Sequence, residues 1–129
     1  MEQQYKNLIE EAIKFIRRAY SPYSNLKIGA AVLTSDGKIY AGCNIECVSF
    51  SLTLCAERVA AAKALSEGNK KIKAVAIATQ NKKFVFPCGA CLQFLSEFAT
   101  PETDIILIQS KNKYKVVPLK SLLPNAFSF

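Results

Sequence analysis

A chain of 129 residues, half of them hydrophobic, is long enough to bury one core, and residues 1–129 are read as a single domain. No apolar run approaches the roughly 20 residues of a membrane span, which excludes a transmembrane helix. The formal net charge of +7 raises the question of nucleic acid, but the lysines are scattered over loops with no arginine-rich or aromatic-interleaved stripe, so nucleic acid is not an expected partner.

Met1 to Lys6 is polar and carries no signal-peptide apolar segment, so a cytoplasmic location is expected. Apolar residues from Leu8 to Ala19 recur at helical spacing, which predicts a helix over 2–19, and Pro22 stops it. Residues 27–34 and 38–43 read as strands joined by Ser35-Asp36-Gly37, a hairpin signal. Cys43 ends the second strand and is expected in the core. Residues 44–54 are an irregular connection into a helix over 55–66, with Gly68 as its C-terminal cap. A buried strand over 73–79 follows, then a short strand at Phe84–Phe86 and a second helix over 88–98. The continuous Ile and Leu of 104–109 suggest a strand covered on both faces, and 114–117 an edge strand before a turn of helix near Leu119–Leu122. Strand, helix, strand from 73 to 109 is a βαβ crossover. The expected fold is α/β: three layers, α/β/α, around a mixed five-stranded sheet.

Two motifs carry the chemistry: Cys55-Ala56-Glu57-Arg58 and Pro87-Cys88-Gly89-Ala90-Cys91. Cys88 before a helix and Cys91 one turn later can aim two sulfurs at one point. Cys55 supplies a third, and a water would take the fourth position. Three protein ligands with an open corner is the catalytic form of a zinc site, whereas structural sites close with four. The five cysteines, an odd number with two in C-x-x-C spacing, argue for reduced thiols rather than a disulfide framework. The bland alternative is three buried core cysteines. Both motifs start helices, where free N–H groups favour thiolates, and Arg58 stands ready to donate to them. Glu57 is placed to face the metal's open corner without ligating; alone, it would read as a helix-terminal Glu favoured by the dipole.

At these residues the sequence resembles the zinc-dependent nucleobase deaminases in the form where Cys replaces the more common His. Tyr20-Ser21-Pro22-Tyr23-Ser24, Gly29-Ala30-Ala31, Gly42-Cys43-Asn44-Ile45-Glu46, the Cys-Ala-Glu-Arg block and Leu122-Leu123-Pro124 through Phe127 are similar to the small homotetrameric cytidine deaminases. The resemblance implies zinc on Cys55, Cys88 and Cys91, and Glu57 as the proton shuttle that turns cytidine or deoxycytidine into uridine or deoxyuridine with release of ammonia. It also implies that Asn44 and Glu46 hold the ribose, that the Ala56 backbone meets the pyrimidine, and that Phe127 packs on the base from a neighbouring subunit of a homotetramer. Phe129 competes with Phe127 for that role.

The chain departs from the family pattern at four places. Leu26 stands where an aromatic is usual, Cys47 where an amide is common, Phe50 for a tyrosine and Leu92 for an arginine. Leu26 can pack against a base but cannot stack on it. These changes leave the metal chemistry intact and open an alternative: the same reaction on another aminated heterocycle, such as a modified cytosine nucleoside or a blasticidin-like antibiotic.

Overall fold

The computed structural model describes residues 2–129. Its elements run α1 (Glu2–Phe15), β1 (Ile28–Thr34), β2 (Ile39–Cys43), α2 (Ala56–Ser66), β3 (Ile72–Thr79), α3 (Gly89–Ser96), β4 (Asp104–Ser110), β5 (Lys113–Pro118) and α4 (Leu119–Leu122). The strands form one sheet in the order β2-β1-β3-β4-β5. Only β3 and β4 pair in parallel. The expected α/β fold with a mixed five-stranded sheet flanked by helices is therefore present.

Period-two alternation decides which helix covers which face. Ala31, Leu33, Ala74, Ala76, Ala78, Ile106 and Ile108 point to one side, where Leu8, Ile9 and Ala12 of α1 close over them. Ala30, Val32, Val75, Ile77, Ile105 and Leu107 point to the other, against the alanines of α2 and against Leu92 and Leu95 of α3. The middles of β3 and β4 are thus apolar on both faces, as a doubly covered sheet requires. Small residues set the spacing. A Cβ at Gly29 would lie 2.0 Å from the Ala12 carbonyl oxygen, so α1 rests directly on the β1 backbone. A Cβ at Gly42 would lie 2.7 Å from the Ala60 nitrogen, so α2 also rests close on β2. The β1–β2 turn is closed by Gly37 at φ +88, a left-handed conformation that glycine adopts without steric cost.

Three expectations change in detail. The helix expected over 2–19 is α1 followed by a tighter 3₁₀ turn, Ile16–Arg18. Phe84–Phe86 is not a strand. Both sides of β3 and β4 are already paired at that end of the chain's crossover, and Pro87 next door has no N–H to extend a ladder. Cys43 is half-buried, not core, because β2 is an edge strand and its last residue lies at the rim.

No helix among the described residues is long and apolar enough to cross a membrane.

Candidate metal centre and active site

Cys55 and Cys88 occupy equivalent places. Each is the residue just before a helix, in extended backbone, with φ −74 and ψ 151 at Cys55 and φ −71 and ψ 165 at Cys88. Extended geometry at a cap can turn the side chain back toward the unpaired N–H groups of the first turn, and at Cys88 it does. The Cys88 Sγ accepts from the Cys91 N–H at 3.5 Å. Since α2 and α3 lie on the same face of the sheet and pack against each other, the two caps meet.

The resulting cluster is tight. Cys88 and Cys91 sulfurs are 3.4 Å apart, Cys55 and Cys88 sulfurs 3.9 Å, and all three lie within 4.8 Å of one another. A tetrahedral zinc with Zn–S bonds of about 2.3 Å spaces its sulfurs by about 3.8 Å. The donor set and its spacing therefore fit zinc. Among the described residues this is the one group of three or more His, Cys, Asp or Glu side chains close enough to hold a metal.

Cys55 and Cys91 sit in unlike electrostatic surroundings. A hydrogen bond from Cys91, reinforced by Arg58, pulls the Cys55 thiol down to about 5. The same hydrogen bond, seen from its donor, together with burial holds the Cys91 thiol well above its ordinary range. The thiolate is the form that binds metal, and Cys55 is the thiol whose surroundings favour it. Arg58 supplies the nearest positive charge: its Nη2 reaches Cys55 Sγ at 3.7 Å and the Thr53 carbonyl at 3.2 Å. Its Nε is buried with no hydrogen-bond partner.

Glu57 is 4% exposed, on the first turn of α2. Burial, with the Cys55 charge adding to it, pushes its carboxyl up to about 7. A carboxyl balanced near neutrality can both take and give a proton, which is the requirement for general acid–base work.

Beside this group lies a cavity of about 350 Å³ lined by Ser24, Leu26, Ile28, Asn44, Glu46, Phe50, Thr53, Cys55, Glu57, Val85, Phe86 and Cys88. That volume is within the range of small-molecule sites. A cleft of about 750 Å³ lies elsewhere, between Tyr5, Lys70, Lys71, Lys73 and Thr103, but it holds mixed charges and no thiol.

The other expected residues fall in different places. Leu26 lines the cavity. Ala56 is fully buried as the first residue of α2. Asn44 lines the cavity, yet its amide is engaged within the chain: Oδ1 accepts from the Ile28 N–H at 2.9 Å and Nδ2 donates to the Leu26 carbonyl at 2.8 Å. Glu46 is buried, and its carboxylate accepts from the Tyr23 N–H at 3.0 Å, the Ser24 N–H at 3.1 Å and the Ser24 hydroxyl. Those donors hold its pKa below the usual carboxylate range, the Ser24 side chain first. Phe127 is not in the cavity of its own chain. It is 67% exposed, edge-to-face with Phe129 at 5.2 Å, beside the far end of α3.

The departures also find physical roles. The Phe50 ring meets Tyr23 edge-on, with centroids 6.3 Å apart. Leu92 is 5% exposed and part of the core under α3. Cys47 is half-buried and its N–H donates to the Thr53 hydroxyl at 3.1 Å, closing the loop before Cys55. Sequence reasoning did not single out Thr53, Val85 or Phe86, which carry no motif and reach the cavity only through the fold.

Residues 2–107 match the family profile described as the cytidine and deoxycytidylate deaminase zinc-binding region. The chain is similar to a cytidine deaminase of Sporosarcina psychrophila, 43% identical over 123 residues, which cover 95% of this chain and 90% of that one. It is 42% identical over 121 residues to a cytidine deaminase of Halalkalibacterium halodurans, covering 94% of this chain and 92% of the relative. Its backbone is similar to a crystal structure of cytidine deaminase from Burkholderia pseudomallei, with a TM-score of 0.87 and 40% identity over 94% of this chain and 97% of that one.

Proposed function

The chain belongs to the zinc-binding cytidine deaminase family, and from that premise we propose how its own residues carry out the hydrolysis of cytidine. The activity is that of a hydrolase: water replaces the exocyclic amine at C4 of the pyrimidine, and uridine and ammonia leave. Cys55, Cys88 and Cys91 hold the zinc ion. When bound, zinc supplies the Lewis acidity that makes water a nucleophile at neutral pH.

Glu57 moves the protons. It accepts one from the attacking water and delivers it to ring N3, then takes the proton of the new C4 hydroxyl and passes it to the amine as the C4–N bond breaks. What supports this is the burial of a carboxyl beside the three thiols, lining the same cavity. Arg58 steadies the Cys55 thiolate by donating to it. Glu46 and Asn44 serve the sugar end. Because their backbone partners already fix both side chains, their remaining lone pairs are aimed in advance, which lowers the cost of ordering them on binding. The Ala56 backbone and Leu26 complete the base-side wall.

The assembly we infer is a homotetramer in which Phe127 of one copy closes the cavity of another. The exposure of Phe127 and its distance from its own cavity support that reading.

The experiment is zinc analysis joined to steady-state kinetics on a nucleoside panel, with oligomeric state measured by light scattering. Turnover of cytidine and deoxycytidine at about one zinc per chain is expected. Turnover of a modified cytosine nucleoside or an aminated antibiotic with none of cytidine would favour the alternative substrate. A preparation that binds no zinc would overturn the mechanism.

A further inference from the structure

Of residues 84–87, Val85 and Phe86 line the cavity, and all but Phe86 are anchored. Phe84 and Val85 pack against the core under α3, with Lys115 Nζ 4.7 Å from the Phe84 ring centroid. Pro87 is buried and fixes the backbone just before Cys88. A residue before proline is confined to extended conformations, so Phe86 has little backbone freedom of its own. Yet the Phe86 ring is 55% exposed, in no aromatic pair, and lines the cavity that also holds Glu57, Cys55 and Cys88. The other aromatic lining residue, Phe50, is already engaged edge-on by Tyr23. The remaining apolar lining side chains are aliphatic: Leu26, Ile28 and Val85.

An apolar ring held in water on a pinned backbone, two residues from a metal ligand, is in place to meet a flat ligand. We propose that Phe86 is a specificity-determining residue, the stacking face that receives the pyrimidine ring. It takes no part in proton transfer. Its contribution is to hold the ring face so that C4 comes within reach of Glu57 and the thiols. The inference rests on the deaminase reading above and names the group that recognises the base.

The chain contains no tryptophan, so F86W creates a single fluorescent reporter at the proposed contact. On titration with uridine or cytidine its emission is expected to change in a saturable way, and the variant is expected to keep most of the parent's activity. F86A is expected to raise KM for cytidine about tenfold or more, the order that loss of one base–aromatic stack brings. Its kcat, zinc content and oligomeric state are expected to stay close to the parent's. F86L, apolar but without a ring, falls between the two. The proposal is overturned if F86A leaves KM within twofold of the parent. It is also overturned if F86W emission ignores nucleoside, or if F86A acts by changing the oligomeric state. Failure of the parent itself to deaminate cytidine would count against the proposed function. Normal parent turnover with an unaffected F86A would count against Phe86 alone.

Discussion

Gln93 grips the backbone of Phe127 with both ends of its amide: Nε2 donates to the Phe127 carbonyl at 3.0 Å, and Oε1 accepts the Phe127 N–H at 3.2 Å. Gln93 lies on α3 two residues past Cys91, so the helix that carries a metal ligand also aims the C-terminal tail. Replacing Gln93 with Ala removes both bonds, at a stability cost of about 1 kcal/mol because they are exposed. The larger expected effect is on the tail: faster trimming by carboxypeptidase and a several-fold rise in KM with little change in kcat. Equal trimming rates in parent and variant would show that the tail is held by other contacts.

Glu57→Gln keeps the size of the side chain and removes its ability to carry a proton. The expected loss in kcat is about 10²- to 10⁴-fold, the usual worth of general acid–base catalysis. Zinc content and thermal midpoint should hold, since a buried carboxyl with a pKa near 7 gives way to a neutral amide of the same shape. Retained activity in a zinc-loaded variant would sink the role assigned to Glu57.

Arg58→Ala removes the donor that helps keep the Cys55 thiol low. Groups that hydrogen-bond a metal ligand are commonly worth 10- to 100-fold in affinity, so competition with a chromophoric chelator should show a loss of about that size. Unchanged zinc affinity would mean that the bond to the Thr53 carbonyl is the only one that matters.

Glu46→Gln tests a pH dependence of folding. Hydrogen bonds from Ser24 and Tyr23 favour the ionised form, so the folded pKa lies below the unfolded one. Such a group stabilises fully above the unfolded value, and its contribution is lost as pH falls through the lowered folded value. Urea midpoints of parent and variant should therefore differ at pH 7 and converge as the pH drops below the ordinary glutamate range of about 4.3. A gap that stays constant down to strong acid would contradict the assignment.

Gly29→Ala should be the most damaging added methyl among the glycines. The added Cβ meets the Ala12 carbonyl oxygen at 2.0 Å and the Ile16 nitrogen at 2.8 Å, both backbone atoms that cannot rotate away. A cost of about 3 kcal/mol or more is expected, at the upper end for overpacking. A thermal melt of the variant beside Gly89→Ala, where an added Cβ meets nothing within 4 Å, separates this steric cost from any general effect of replacing glycine.

The metal motifs were legible because their signal is local. A cysteine before a helix and another one turn inside it lie within four residues, and spacing alone says that both sulfurs can meet. The strands and helices were legible for the same reason, their periodicity being a property of each segment. What escaped depends on partners far apart in the chain. Nothing in the sequence near Asn44 shows that its amide will be taken by Leu26 and Ile28. Nor does anything near Lys63 show that its ammonium will sit 2.6 Å from the Ala41 carbonyl and over the Phe15 ring. Phe84–Phe86 was misjudged as a strand because its residue types favour extended pairing, while the assembled sheet leaves no edge there for it to join.

The order of elements gives the thiol cluster a place in time as well as in space. Cys55 precedes β3 and Cys88 follows it, and β3 is the central strand, hemmed by β1 and β4. The two halves of the grip lie on opposite sides of that strand in the chain, so the finished cluster depends on long-range pairing, and cation capture by it is expected late in refolding. Added zinc should lock the finished protein against unfolding without hastening its assembly.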